Sequence, residues 1–224
     1  MYTSIEGTVN AEEPLMTPDM IAAELRSELM AGTLRPGAEL AQVGLAERFG
    51  VSRIPIRDAL RILAGEGLVE IEANRGARAI ALTAGEVREI YDLRVLLECD
   101  CLHRAAGKMT PAMLDEIERV RRKSDLDAGT PGWAAGDWAF HRALYSPAGR
   151  PRQIAMIEAL RRTCQLHVGA YSTMPAKKPR WLAEHRIIME RLKKGETEHA
   201  VLALRAHLEA AGKHLLDRMT RVEG

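Results

Sequence analysis

Asp137 and His141 stand four residues apart, so on a helix they share one face. His185, within Ala183-Glu184-His185-Arg186, and His207, within Arg205-Ala206-His207-Leu208, fall in later segments that also have helical spacing. One carboxylate and three imidazoles from three helices could converge inside a bundle and hold a divalent metal. A nitrogen-and-oxygen set of this kind suits zinc, nickel or manganese and leaves coordination positions open for water or a carboxylate. Plainer accounts stay open at this point. Helical histidines are common packing residues, and an Asp–His pair at i, i+4 is an ordinary surface pair. A three-His-one-Asp centre could also activate water for hydrolysis. The sequence offers no well-placed general base for that: Glu184 is the candidate, and adjacent helical residues do not face the same way. A metal that merely holds a bundle together, in an interaction protein, is the third account. His103, His167, His199 and His214 fit no ligand spacing and read as surface or packing histidines, with His167 also a candidate to line a pocket.

The elements that must position these residues can be read in order. Thr83-Ala84-Gly85-Glu86 is a capping box, and a long helix follows to about Gly107. Thr110-Pro111 restarts a helix that runs to about Ala128. Further helices are expected over Trp133 to Tyr145, Arg152 to Tyr171, Arg180 to Lys194 and Thr197 to Met219, separated by a loop at Asp127 to Gly132 and by proline and glycine breaks. No strand signal follows residue 82, so residues 83–224 are expected to form an all-α domain of about six helices.

The chain before Thr83 has a different character. Residues 1–15 lack periodicity and are expected to be a loose tail. From Pro18, the stripe Ile21, Leu25 and Leu29 predicts a helix ended by Gly32, followed by a turn at Arg35-Pro36-Gly37. Leu45, Ala46 and Phe49 predict a short helix stopped by Gly50. Ser52 is placed to cap the next helix, and Pro55 falls in its first turn, where a missing N–H costs little. That helix carries Arg53, Arg57 and Arg61 on one face and Ile56, Ala59, Leu60 and Leu63 on the adjoining face. Leu68 to Ile71 and Ala77 to Ala81 read as strands around a turn at Asn74-Arg75-Gly76. Two helices joined by a tight turn, then a hairpin, make a winged helix-turn-helix, expected over residues 16–82. Its second helix fits a major groove and places the three arginines within reach of phosphates and guanine edges.

The string GVSRIPIRDALRILAGEGLVE, with the wing tip Asn74-Arg75-Gly76, resembles the DNA-binding signature of the GntR family of bacterial transcription regulators. Ile54 stands where threonine is usual, and Asp58 where glutamate is usual. The resemblance implies that Arg53, Arg57 and the wing around Arg75 and Gly76 contact DNA. The segment Asp137-Trp-Ala-Phe-His141, then His185 44 residues on, then His207 a further 22 on, resembles the FCD domain, the helical effector domain of the FadR-type branch. In the metal-binding subgroup that likeness implies an ion held by Asp137, His141, His185 and His207. Arg94 matches an arginine that lines the effector pocket in the family. An intrahelical pair with Glu98 is the alternative for it.

The 224 residues carry a formal net charge of +1, and 46% are hydrophobic but only 4% aromatic, so cores must be built from aliphatic side chains. Residues 16–82 hold eight arginines against nine carboxylates, a net of −1, so DNA binding has to rest on local arrangement, in which Arg48 joins Arg53, Arg57 and Arg61. A monomer of that charge would bind weakly, and two protomers meeting half-sites one helical turn apart would double the phosphate contacts. Cys99, Cys101 and Cys164 match no metal or disulfide pattern and read as buried thiols in a reducing compartment. No apolar run approaches the roughly 18 residues that a membrane helix needs. The expectation is a cytoplasmic, homodimeric, mainly α DNA-binding regulator, not an enzyme, whose affinity for double-stranded operator DNA responds to a small carboxylate beside a metal. Zinc is the first choice of ion.

Overall fold

The computed structural model describes residues 16–73, 76–128, 130, 132–171 and 178–222. The tail at 1–15 and the turn residues Asn74 and Arg75 lie outside the described residues, as does part of each break near residues 130 and 175. Helix α1 spans Pro18–Ala31. Thr17 caps it through Oγ1, which accepts from Met20 N at 3.3 Å, and Gly32 at φ 76° ends it. Strand β1 is Glu39–Ala41, helix α2 Gln42–Phe49, helix α3 Arg53–Gly65, and strands β2 and β3 are Val69–Glu72 and Gly76–Ala79. The hairpin is therefore a three-stranded antiparallel sheet of order β1-β3-β2, with Glu39 opposite Arg78 and Val69 opposite Ala79. Strand β1 has no counterpart among the elements expected from the sequence, which place only a turn at Arg35-Pro36-Gly37 before it, and α2 begins three residues ahead of the expected Leu45.

Ser52 occupies the N-cap of α3 in extended conformation, but its side chain makes no capping hydrogen bond. A capping hydroxyl accepts from the N–H of the second or third helical residue, and the third is Pro55, which has none. The serine hydroxyl stays exposed instead.

Gly76 meets a stricter demand than a turn. Its φ is 136°, and a Cβ there would lie 2.2 Å from the Leu40 carbonyl oxygen of β1. Gly76→Ala is expected to destabilise the protein by about 2 kcal/mol or more through backbone strain and the opened strand pair. A urea titration that leaves the midpoint unchanged would contradict this account of the wing.

The remaining chain is helical. Helix α4 spans Ala84–Ala106, α5 Pro111–Asp127, α6 Trp133–Tyr145, α7 Pro151–Tyr171, α8 Lys178–Lys193 and α9 Thr197–Val222, with a 3-10 turn at Ser146–Ala148. The capping box forms at α4: Thr83 accepts from Glu86 N, and Glu86 accepts from Thr83 N at 2.7 Å. One core gathers Leu102, Phe140, Leu144, Tyr145, Ile188, Leu204 and Leu208. A second gathers Ile21, Leu25, Leu40, Ile56, Leu60 and Leu63. Burial of each such aliphatic side chain contributes roughly 1.5–3 kcal/mol. Leu166 of α7 belongs to the second core, and Leu82 N donates to Nε2 of His167 at 2.8 Å. Helix α7 thus packs against both parts of the chain.

Candidate functional site

Helices α6, α8 and α9 each bring one fully or almost fully buried histidine to a single point. His141 and His185 are 0% exposed and His207 7%, and one ring nitrogen of each lies within 4.8 Å of the others. His185 Nε2 stands 3.4 Å from His207 Nε2 and 3.5 Å from Asp137 Oδ1, and His141 Nε2 stands 3.9 Å from the same oxygen. Ligand atoms around an ion at roughly 2.0–2.1 Å sit about 3.0–3.4 Å apart. The four residues named from the sequence therefore lie together, in a cluster wider than a closed coordination shell, with the histidine nitrogens within 4.8 Å of one another.

Other residues set the direction of these rings. Burial first, then the nearby Glu98 carboxylate, hold the Tyr145 phenol well above its usual range, so it keeps its proton. That proton goes to Glu98 Oε2 at 2.6 Å, and the phenol oxygen is left to accept from His141 Nδ1 at 3.0 Å. With Nδ1 donating, His141 turns the lone pair of Nε2 into the cluster, where this buried atom has no hydrogen-bond partner. His207 repeats the device: its Nδ1 donates to Glu184 Oε2 at 2.8 Å, leaving Nε2 as the inward lone pair. Burial, with further help from the Arg161 charge and the other rings, pushes His141 well below the ordinary imidazole range; burial takes His185 down to about 3. Burial alone would raise the Asp137 carboxyl, but Arg161 and the His185 and His207 rings outweigh it and hold the group below its usual range. Two imidazoles kept neutral, the His207 ring beside them and an ionised carboxylate facing one point are the donor set a divalent cation takes. Asp137 divides its oxygens: Oδ2 accepts from Arg161 of α7, while Oδ1 faces the histidines.

Tyr145→Phe is expected to weaken metal binding about 10- to 100-fold, because the ring is released and Glu98 loses a donor. Competition against a chromophoric chelator measures it; unaltered affinity would show that the phenol does not orient His141.

Glu98 is itself 0% exposed and also takes Arg94 Nε at 2.8 Å. The intrahelical Arg94–Glu98 pair thus forms, and Arg94 also lines a cavity of about 560 Å³. Its guanidinium lies 4.6 Å over the Tyr91 ring. Burial works against the arginine's charge, but Glu98 outweighs it and the group stays cationic. Glu98 takes only Nε of the guanidinium, and the Tyr91 side chain also hydrogen-bonds to it. Asp137 and His207 line the same cavity, so the cluster and Arg94 share one space.

Three partners escaped the sequence reading. Glu184, a candidate base by sequence, is held by His207 and by Arg180 Nε at 2.7 Å. Tyr145 at i+4 from His141 was a usable signal. Arg161 carried none, since it meets Asp137 from another helix. His214, read as a surface or packing residue, lines the cavity and stands edge-on to Trp181, with ring centroids 5.7 Å apart. His167 is absent from the cavity wall; it accepts from the Leu82 amide instead. His103 and His199 lie at the surface beside Glu198 and Glu196.

On α3, Arg53 is exposed and makes no ion pair among the described residues. Arg57 and Arg61 are exposed but share Asp58, at 3.7 Å and 3.4 Å. Arg48 turns away from that face, forked onto Glu28 and stacked over Phe49. Ile54 is an exposed apolar side chain beside Arg53, and Gly76 is buried against β1. Arg75 lies outside the described residues.

Comparison with known proteins places these parts. Residues 17–78 match the model of the bacterial regulatory proteins of the gntR family, and residues 89–210 match the FCD domain. An HTH-type transcriptional regulator from an unstable DNA locus of Streptomyces ambofaciens is 29% identical over 197 residues, 85% of this chain and 81% of that protein. The gluconate operon transcriptional repressor of Bacillus subtilis is 44% identical over 100 residues, which are 45% of this chain and 41% of that protein. Among solved structures, Escherichia coli McbR/YncC superposes with a TM-score of 0.75 at 21% identity, covering 90% of this chain and 98% of that one. A putative GntR transcriptional regulator from Rhodococcus sp. RHA1 gives 0.72 at 26% identity, covering 89% and 97%. Among the described residues no helix is long and apolar enough to cross a membrane. With a helix-turn-helix unit and an FCD domain matched in order along one chain, the protein belongs to the GntR family of bacterial regulatory proteins and is a DNA-binding transcription regulator, not an enzyme.

Proposed function

We propose that this regulator is a homodimeric, cytoplasmic repressor of the FadR-type branch whose hold on operator DNA is controlled by a small carboxylate bound beside a divalent metal. The observation that carries this reading is the meeting of three buried imidazoles with Asp137, two of them with the second ring nitrogen already engaged by Tyr145 or Glu184. Asp137, His141, His185 and His207 would hold the ion. Zinc suits the set first, nickel or manganese next. When bound, the ion supplies an anchor for a carboxylate oxygen. Arg94 offers a planar fork for the same group or its neighbour, since only its Nε is engaged by Glu98. The Bacillus relatives named for the gluconate operon are consistent with a hydroxy or sugar acid.

In this reading residues 16–82 bind DNA and residues 83–224 bind metal and effector and dimerise. Arg53, Arg57 and Arg61 of α3 reach phosphates and base edges, and Arg75 with Gly76 forms the wing tip. Homodimerisation is supported by large apolar side chains left exposed on two packed helices: Leu93 and Leu96 of α4 are 40% and 64% exposed, and Met156 of α7 is 58% exposed. Pairing through such a surface removes apolar area from water and offsets the weak charge of a single DNA-binding unit. For the effector to release DNA, it must favour the non-binding pose by a few kcal/mol.

The test is metal analysis of the purified protein, followed by operator binding across a panel of small hydroxy and sugar acids. One metal per chain and one acid class that lowers operator affinity are expected. Protein without stoichiometric metal, or operator affinity indifferent to every acid, would sink the proposal.

A further inference from the structure

The cavity beside the candidate metal cluster has a second end. At about 560 Å³ it is in the range that takes ligands well beyond a three- or four-carbon acid. Five arginines line it against two carboxylates, Asp137 and Glu158. Most of that charge is spoken for: Arg161 is on Asp137, and Arg162 faces Glu158 at 4.0 Å. Of the lining residues, Arg26 and Met30 come from α1 of the DNA-binding unit. A ligand filling this cavity therefore touches both parts of the regulator at once.

Arg26 is already engaged, and its partner matters. Nε donates to Glu66 Oε2 at 2.7 Å and Nη2 to Glu66 Oε1 at 2.5 Å. Glu66 is the residue that ends α3, the helix carrying Arg53, Arg57 and Arg61. A carboxylate at a helix C-terminus faces the negative end of the helix dipole and depends on a cation for compensation. The fork is half-buried, with Arg26 33% and Glu66 22% exposed, so a competing anion in the cavity can reach it.

Resting on the effector reading above, we infer that the ligand is a dianion: one carboxylate at the Arg94 and metal end, and a second anionic group, carboxylate or phosphate, that takes Arg26 from Glu66. The exchange untethers the end of the recognition helix from α1. Ligand binding and the Arg26–Glu66 pair then exclude one another, and the coupling to DNA is reciprocal.

The experiment uses the full-length, metal-loaded protein. The probes are linear α,ω-dicarboxylates of increasing length, each beside the monocarboxylate of equal carbon number, and ω-phosphorylated carboxylates as a second series. Wild type should bind one length of dianion about tenfold or more tighter than the matching monocarboxylate, the part of a charge-assisted fork that remains after the Glu66 pair is given up. The series that contains this optimum identifies the second anion. Arg26→Gln should lower dianion affinity to the monocarboxylate level and leave monocarboxylate binding unchanged. Glu66→Gln should raise dianion affinity and reduce the effect of the dianion on operator binding. A general loosening of the fold would shift both variants in one direction, since both lose the same ion pair; competition shifts them in opposite directions. Equal affinity for mono- and dianions at every length, or variants that move together, overturns the inference while the carboxylate site survives. If no carboxylate of any kind binds, the underlying effector reading fails instead, and this inference with it.

Discussion

His185→Ala is expected to reduce bound metal from one per chain to under about a tenth, and to lower the melting temperature of the metal-loaded protein by roughly 8–16 °C. At a free metal concentration of about 1,000 times the dissociation constant, binding contributes about 4 kcal/mol to stability. In a chain of this size each kcal/mol corresponds to roughly 2–4 °C. His185 is the informative choice of the three histidines. Its Nε2 sits nearest the middle of the cluster, 3.4 Å from His207 and 3.5 Å from Asp137. Its Nδ1 has no hydrogen-bond partner among the described residues, so the substitution takes away only the longer Nε2 contacts to His207 and Asp137. Replacing His141 or His207 would instead strand Tyr145 or Glu184. Truncation does leave a void beside Phe140, whose ring centroid is 4.8 Å away, and that alone lowers stability. A chelator separates the two effects. It should lower the melting temperature of the wild type and leave the variant unchanged. A wild type that melts identically with and without chelator would falsify the metal assignment.

Arg53→Ala is expected to cost about 1–3 kcal/mol at each half-site if the side chain reads a base edge. Over two half-sites of a dimer that is roughly 2–6 kcal/mol, or about 30-fold to 10⁴-fold in operator affinity. Arg53 should matter more than its neighbours because no carboxylate among the described residues pairs with it, whereas Arg57 and Arg61 share Asp58. It is exposed at the N-terminus of α3, so thermal stability should stay within about 0.5 kcal/mol of wild type. Salt dependence assigns the contact. Loss of a phosphate contact lowers the salt slope by about one per protomer and weakens all sequences alike; loss of a base contact leaves the slope and relaxes one position of the operator. Unchanged operator affinity in a folded variant would remove the N-terminus of α3 from the interface.

Much of the helical frame was legible because its signals are local. Thr83 and Glu86 lie three residues apart and cap α4, Pro111 opens α5, and Gly32, Gly50 and Gly195 end helices with positive φ. The candidate ligand set was legible for a different reason. Only a few residue types bind metals, and spacings of 4, 44 and 22 residues resemble a known pattern whatever the distances between them.

What stayed hidden depends on contacts between segments far apart in the chain. Strand β1 is three residues long, too short for any periodicity, and it exists because β3 pairs with it. Gly76 looked like a turn residue, but it is buried where Leu40 passes too close for a Cβ. The three residues that orient the cluster act across helices: Glu184 on His207, Arg161 on Asp137, and Glu98 through Tyr145 on His141. Sequence by itself determined which side chains were available as ligands and as charges, because residue type and helical period are local properties. Tertiary structure alone decided which charges were free. Glu28 withdrew Arg48 and left Arg53 exposed, and Glu66 and the cavity came to share Arg26, because ion pairing is settled by distance in space rather than by separation along the chain.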